Sequence, residues 1–231
     1  MTELMRPSGL DHLVVVAQDL ASGVAWCESH LGVLPGPGGE HPLMGTHNRL
    51  LRIDSPNFPQ AYLEIIAINP DASPVRKAPL KRWFDMDDTR LMQEVKHQGP
   101  QLVHWVARVS DLGANLQAWS KLGLARGEAL QAQRPTPQGM LAWQISVRDD
   151  GQRLMQGCLP TLIAWGHIHP AMHMPKSALV LTSLAISHPE AELLSQAFQA
   201  ADIQGVTVQP GQASITATLE TPKGQVTLSS L

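Results

Sequence analysis

The sequence has 231 residues, of which 43% are hydrophobic and 16% are charged, and its formal net charge at pH 7 is −3. These values argue against a disordered or fibrous chain, and without runs of lysine or arginine they predict neither nucleic acid nor a membrane surface as a partner. Two cysteines, Cys27 and Cys158, are too few for a disulfide framework. The N-terminus carries Glu3 and Pro7 and does not predict a signal peptide, and no apolar run has membrane-spanning length, so we expect a cytoplasmic protein.

The first 70 residues predict a strand, a helix and further strands. Residues 10–17 form a valine-rich apolar run with His12 inside it, as expected for a strand covered on both faces. Asp19 suits the N-cap of a helix, and Gly32 suits its end. Two further strands are predicted at 47–53 and 62–68.

Residues 71–100 are polar and contain prolines, which predicts a surface connection or lid with a short helix near 83–95. The earlier pattern then returns, with a strand at 102–109 and Asp111 as the next N-cap. His104 has the place in this strand that His12 has in the first. Further strands are predicted at 140–147 and 161–165.

A third copy of the pattern begins near residue 171. It has a strand at 179–186, a helix at 189–201 and short alternating strands after them, but Val180 or Leu181 stands where the histidines stand above. We therefore predict an α+β fold in which repeated βαβββ modules form a cupped sheet, with a third, partial module at the C-terminus. The predicted divisions are a first module at 1–70, a connector or lid at 71–100, a second module at 101–170 and the third module at 171–231.

Four segments resemble the glyoxalase-like proteins of the vicinal-oxygen-chelate superfamily, which includes glyoxalase I, extradiol dioxygenases and bleomycin-resistance proteins. They are GLDHLVVVAQDL (9–20), HPLMGTHNRLLRI (41–53), AYLEIIAI (61–68) and LPTLIAWGHIHPA (159–171). The resemblance implies a divalent metal at the base of the cup, held by the first and last strands of both modules.

Carried over to this sequence, the resemblance implies His12, Glu64 and His104 as metal ligands. The fourth position falls near Ala164, which cannot bind a metal. Two imidazoles and one carboxylate suit Fe, Mn, Ni or Zn. No phosphate loop or dinucleotide fingerprint occurs, so no nucleotide cofactor is predicted.

Each candidate residue also has a structural interpretation. His12 and His104 could be hydrogen-bonded core histidines, and Glu64 could pair with Arg49 or Arg52, because a buried carboxylate needs a partner. Glu64 could instead be a general base, with the metal held elsewhere.

Two polar segments leave similar alternatives. In the first, Thr46 and Asn48 could fix a turn, or His47, Asn48 and Arg49 could bind an anionic substrate at the mouth of the cup. The histidines of the segment 167–173 suit a polar linker, and they are also the natural replacement for the missing fourth ligand.

The sequence thus predicts a metal-dependent lyase, isomerase or dioxygenase that acts on a small oxygenated molecule, with Glu64 as the catalytic residue. The alternative is a metal-free protein that binds or sequesters a small molecule, as bleomycin-resistance proteins do. Pairing into a homodimer through a module is a further expectation from the resemblance.

Overall fold

The structure is a computed structural model that describes residues 8–137 and 139–230. The prediction about a signal peptide concerns residues 1–7, which lie outside the described residues. The strands are β1 (Gly9–Val16), β2 (Glu40–His41), β3 (Thr46–Arg52), β4 (Tyr62–Ile68), β5 (Gln101–Arg108), β6 (Glu128–Thr136), β7 (Gly139–Val147), β8 (Thr161–Trp165), β9 (Val180–His188), β10 (Thr207–Pro210), β11 (Ser214–Thr221) and β12 (Gly224–Ser229). The helices are α1 (Leu20–Leu31), α2 (Thr89–Gln98), α3 (Leu112–Lys121) and α4 (Ala191–Ala200), and two short 3₁₀ turns lie at Met155–Gly157 and Pro170–Met172.

The first two modules share one eight-stranded sheet in the order β2-β3-β4-β1-β5-β8-β7-β6. Within the modules, β1 is parallel to β4 and β5 is parallel to β8. The modules meet where β1 pairs antiparallel with β5, so that Val14 lies opposite His104. The predicted α+β fold of repeated βαβββ modules around a curved sheet is therefore confirmed, and both modules of the cup come from one chain.

Helices α1 and α3 begin at the predicted N-caps. The Asp19 carboxylate accepts a hydrogen bond from the backbone N–H of Ser22, and the Asp111 carboxylate accepts one from Ala114. The two helices pack on the convex face of the sheet, over a core that includes Leu13. These caps satisfy N–H groups that the first turn of a helix leaves free.

The connector covers the concave face of the sheet. Trp83, Phe84 and Met86 are buried there against strand residues such as Val14 and Val106. The predicted helix near 83–95 begins later than expected, at Thr89, because Asp88 caps it and Phe84 has a positive φ of 59°. The connector therefore covers part of the concave face with buried aromatic side chains.

The third module has the element order β9-α4-β10-β11-β12 and forms a separate sheet in the order β10-β9-β11-β12. It packs against the second module, where the indole N–H of Trp119 donates to the carbonyl of Ala197 at 2.7 Å. The rings of Trp105 and Phe198 also meet there, with centroids 5.4 Å apart. None of the helices described above has both the length and the apolar character needed to cross a bilayer.

Candidate functional site

A small cavity of about 30 Å³ lies on the concave face of the sheet, and we call it the inner chamber. Polar groups of its lining come from three adjacent strands: His12 from β1, Asn48 from β3 and Glu64 from β4. Alternate residues of a strand face the same side of a sheet, which brings these side chains together. The first module therefore supplies most of the polar groups of the chamber, whereas the second module supplies Arg134 and much of the apolar wall.

Glu64 is a buried carboxylate, 4% exposed, and its partners are an amide and an imidazole. Its Oε1 accepts a hydrogen bond of 2.6 Å from Nδ2 of Asn48, and its Oε2 lies 3.5 Å from Nε2 of His12. Neither of the arginines considered as partners of Glu64 binds it, since Arg52 pairs with Asp54 at 2.6 Å and Arg49 is exposed. Oε2 is thus the oxygen of Glu64 that remains available for chemistry.

His12 is held in place by Asp11, which is fully buried. A β-bulge between Leu10 and His12 interrupts the pairing of β1 with β5, and Nδ1 of His12 donates to Oδ1 of Asp11 at 2.7 Å. The other oxygen, Oδ2, accepts from Nε1 of Trp165 at 2.9 Å and from Nε2 of His169 at 3.0 Å. Burial acts to raise the pKa of Asp11, but the two histidines outweigh it and the pKa lies below its ordinary value. Asp11 is therefore an anion that fixes the proton of His12 on Nδ1 and directs Nε2 toward Glu64.

His41 is the second imidazole near Glu64. Its Nδ1 lies 3.1 Å from Oγ1 of Thr46, and its Nε2 lies 3.4 Å from Nδ2 of Asn48. Burial lowers the pKa of His41 to about 3, and the positive charge of Arg134 adds to the effect. His41 is therefore a neutral ring that accepts from the same amide that binds Glu64.

His104 lies outside the lining of the inner chamber, although it occupies the place in β5 that His12 occupies in β1. Its Nδ1 donates to the carbonyl of Gly157 at 3.0 Å. Its Nε2 accepts from the backbone N–H of Thr161 and from Nη2 of Arg126, both at 3.1 Å. Burial and the charge of Arg126 hold the pKa of His104 well below its ordinary value. The equivalent positions of the two modules are therefore chemically different.

Of the three predicted substrate-binding residues, Asn48 lines the inner chamber. His47 and Arg49 flank it on β3 and lie on the opposite face, because adjacent residues of a strand point in opposite directions. In the histidine segment, His169 has both ring nitrogens engaged, with Asp11 and with the backbone N–H of Ala171. His169 thus supports Asp11.

Comparison with known proteins shows which family has this architecture. The model of a family described as "Glyoxalase-like domain" matches residues 10–201. The chain belongs to this glyoxalase-like family. The family is part of the vicinal-oxygen-chelate superfamily, as predicted. No curated protein matches the chain in sequence.

Several solved structures are similar to this glyoxalase-like protein at low sequence identity. A hypothetical protein from Staphylococcus aureus is 12% identical with a TM-score of 0.57, and the match covers 90% of this chain and 88% of that one. Methylmalonyl-CoA epimerase from Mycobacterium tuberculosis is 19% identical with a TM-score of 0.37, covering 71% and 90%. A variant of the Streptomyces coelicolor epimerase in complex with 2-nitronate-propionyl-CoA is 14% identical with a TM-score of 0.42, covering 71% and 99%.

A divalent metal is usual in this superfamily, so we tested the predicted ligands of the glyoxalase-like protein against their geometry. The 3.5 Å between His12 and Glu64 suits two ligands of one ion, which lie about 3.4 Å apart when each bond is about 2.1 Å. His104 does not join them, because its Nε2 already faces a backbone N–H and the cationic Arg126. Over residues 8–137 and 139–230, no three His, Cys, Asp or Glu side chains are arranged to hold an ion. In the present arrangement His12, Glu64 and His104 do not surround a common point where an ion could bind. Metal binding by these three residues stays a prediction.

Three residues around the inner chamber were not among the predicted site residues. Asp11 directly precedes His12 in the sequence, and that adjacency was the signal for it. His41 begins the segment HPLMGTHN, which the resemblance had already marked. No sequence feature pointed to Arg134, because it lies in the polar segment EALQAQRPT, which was not predicted to be a strand.

Proposed function

We propose that the glyoxalase-like protein is an enzyme that moves a proton on a carbon next to a carbonyl group of a small oxygenated molecule. This is the step that isomerases, epimerases and many lyases share. The observation that carries the proposal is the pair formed by Glu64 Oε2 and His12 Nε2, 3.5 Å apart in a buried chamber. A general base has to lie within hydrogen-bond reach of the proton that it takes, and both atoms belong to the lining of one cavity.

In the proposed reaction, Glu64 takes the proton from carbon. Asn48 holds Oε1 of the carboxylate and leaves Oε2 directed into the chamber. His12 accepts the proton from Glu64 at Nε2, and the Asp11 carboxylate stabilises the imidazolium that forms. The electron pair of the broken C–H bond moves onto the carbonyl oxygen, which gives an enolate. Return of a proton from His12 through Glu64 to that carbon restores the carbonyl, and it leaves a solvent hydrogen on the substrate when His12 has exchanged its proton, so protons and electrons both balance.

The aromatic wall supports this chemistry by excluding water. The ring of Tyr62 stacks on His12 with centroids 4.6 Å apart, and Trp83 and Phe84 from the connector also line the chamber. Burial, followed by the charges of Asp11 and Glu64, raises the pKa of Tyr62 well above its ordinary value. Tyr62 therefore stays a neutral phenol, and the negative charge of the chamber belongs to the carboxylates.

The proposal is tested by hydrogen exchange with solvent. Native protein is incubated in D₂O with a panel of small 2-oxo and 2-hydroxy acids, and deuterium incorporation next to the carbonyl or hydroxyl group is followed by NMR. We expect exchange by the native protein and a loss of about 100-fold or more in Glu64→Gln, because general-base catalysis contributes about 10²–10⁴-fold. Glu28→Gln, at an exposed position of α1, is the matched control and should exchange at the native rate.

Equal exchange by native protein and Glu64→Gln would contradict the proposal. A panel that binds without any exchange would instead favour the sequestering protein. Metal analysis of the same preparations tests the predicted metal form: near-stoichiometric Fe, Mn, Ni or Zn that is lost in both His12→Ala and His104→Ala would support a metal-dependent enzyme.

A further inference from the structure

Arg134 stands at the junction of two cavities. It lies on β6 opposite Leu141 of β7, and its side chain lines the inner chamber. A second cavity of about 420 Å³, which we call the outer pocket, is lined by apolar residues that include Ile168, Pro170 and Met174. Leu50, Arg134, Leu141 and Pro170 line both cavities. Arg134 is the charged residue among these four, so its guanidinium can contact a ligand in either cavity.

Two nitrogens of the Arg134 guanidinium lack hydrogen-bond partners among the described residues. Its Nε and Nη1 atoms are buried and have no hydrogen bond, and none of the carboxylates in the described part of the chain lies within 4.0 Å of it. A buried cation without a counter-charge is costly, because it has lost the hydration that stabilises it in water. Its charge also contributes to the low pKa of His41, so it acts inside the chamber. This arrangement leaves two donor nitrogens, Nε and Nη1, for a ligand.

The neighbouring loop is shaped around this guanidinium. A Cβ atom added to Gly39 would lie 1.4 Å from Nη1 of Arg134, so only a residue without a side chain permits the present position of the group. The backbone N–H of Gly39 is fixed as well, since it donates to Oδ1 of Asn48 at 2.7 Å. The same loop therefore positions both Arg134 and the amide that binds Glu64.

We infer that Arg134 binds the carboxylate of a small organic acid whose apolar tail occupies the outer pocket. A guanidinium presents its N–H groups as a planar fork that matches the two oxygens of a carboxylate. The inner chamber, at about 30 Å³, favours a flat carboxylate over a bulkier tetrahedral phosphate. This assignment rests on the proposed function. It makes the substrate a monocarboxylic acid in which the carbon that loses its proton faces Glu64.

Binding of probe molecules tests the inference without turnover. The Glu64→Gln protein is titrated with hexanoate, hexanamide and inorganic phosphate by calorimetry. We expect hexanoate to bind at least 10-fold more tightly than hexanamide, since a charge-assisted hydrogen bond is stronger than a neutral one. Equal binding of hexanoate and hexanamide would overturn the inference, and so would tighter binding of phosphate than of hexanoate.

Two further variants, made in the Glu64→Gln protein, assign the effect to Arg134. Arg134→Met removes the charge, and Gly39→Ala keeps the charge but displaces the guanidinium; both should weaken hexanoate binding by roughly 10- to 100-fold. Gly113→Ala on α3 is the control, because its nearest neighbour is a side-chain oxygen at 3.6 Å. Should Arg134→Met fail to fold, Gly39→Ala decides alone, since the atom it displaces is the far end of a flexible side chain. Native affinity in Gly39→Ala would overturn the inference. Failure of the deuterium experiment would leave this binding result intact, so the two proposals are separable.

Discussion

His41 and His104 are both buried and both neutral, and this gives the fold a defined response to acid. In each case burial is the largest cause of the lowered pKa, and a nearby arginine adds to it. Protonation would place a second positive charge beside Arg134 or Arg126. Protonation of either ring would therefore destabilise the fold around it.

We expect the free energy of unfolding to fall as the pH drops below about 6.5. The folded pKa of His41 is about 3 and its ordinary value is 6.5, so between these values the unfolded chain binds a proton that the folded chain does not. Each such histidine contributes a slope of up to about 1.4 kcal/mol per pH unit. Urea unfolding near pH 7, 6 and 5 measures the slope, and His41→Gln should reduce it. An unchanged slope in that variant would contradict the assignment of His41.

How far the site could be predicted differs between residues of the same type. That His12 and Glu64 lie together follows from the module pattern, because β1 and β4 are neighbouring strands of one βαβββ unit. His104 looks equivalent in sequence, but Arg126 reaches it from a loop 22 residues further along the chain. A repeat predicts where a backbone position lies. It does not predict which distant side chain will bond there.

Among the elements, β6 shows why part of the fold was missed. Its residues are half-buried or exposed, it contains Pro135, and it lies at the edge of the large sheet. Proline is tolerated at sheet edges, where one side of the strand needs no hydrogen bonds. This segment has no apolar pattern of its own. It forms a strand because it pairs with β7, in a register that puts Arg134 opposite Leu141. Covered strands such as β1 are predictable because burial imposes their composition.

The packing of α1 on the sheet predicts a different outcome for two helical glycines. A Cβ at Gly23 would lie 2.5 Å from Cγ2 of the buried Ile65, so Gly23→Ala should lower the free energy of unfolding by about 1–3 kcal/mol through overpacking. Gly113→Ala, in the matching helix α3, meets no such contact and should raise it by about 0.5–1 kcal/mol. Urea unfolding of the two variants checks both signs. The same sign in both would show that α1 yields to the extra methyl group.

At the scale of the whole molecule, the third module shares a core with the first two. Phe198 of α4 is 4% exposed and meets Trp105 of β5, while Trp119 of α3 bonds to Ala197. Apolar side chains of both sheets belong to one buried cluster. We therefore expect the three modules to unfold together.

Phe198→Ala should lower the stability of the whole chain by about 3–5 kcal/mol. All six tryptophans precede residue 171, and Trp105 and Trp119 contact α4, so their fluorescence reports on the first two modules, the connector and the contact with the third module. Circular dichroism reports on every strand. The two signals should shift by the same amount in urea, with Gln199→Ala, an exposed neighbour, as the control. A circular dichroism transition that precedes the main change in tryptophan fluorescence would mean that the third module unfolds independently.

The antiparallel seam between β1 and β5 also has a consequence for folding kinetics. Strand pairs within each module can form soon after synthesis, but the seam joins residues as distant in the chain as Val14 and His104. Closing so long a loop is slow relative to local pairing. β6 can bring Arg134 to the inner chamber only after that closure. Recovery of hexanoate binding should therefore lag behind recovery of secondary structure during refolding, and any species that arrests before the seam closes will be rich in strands but will lack the inner chamber.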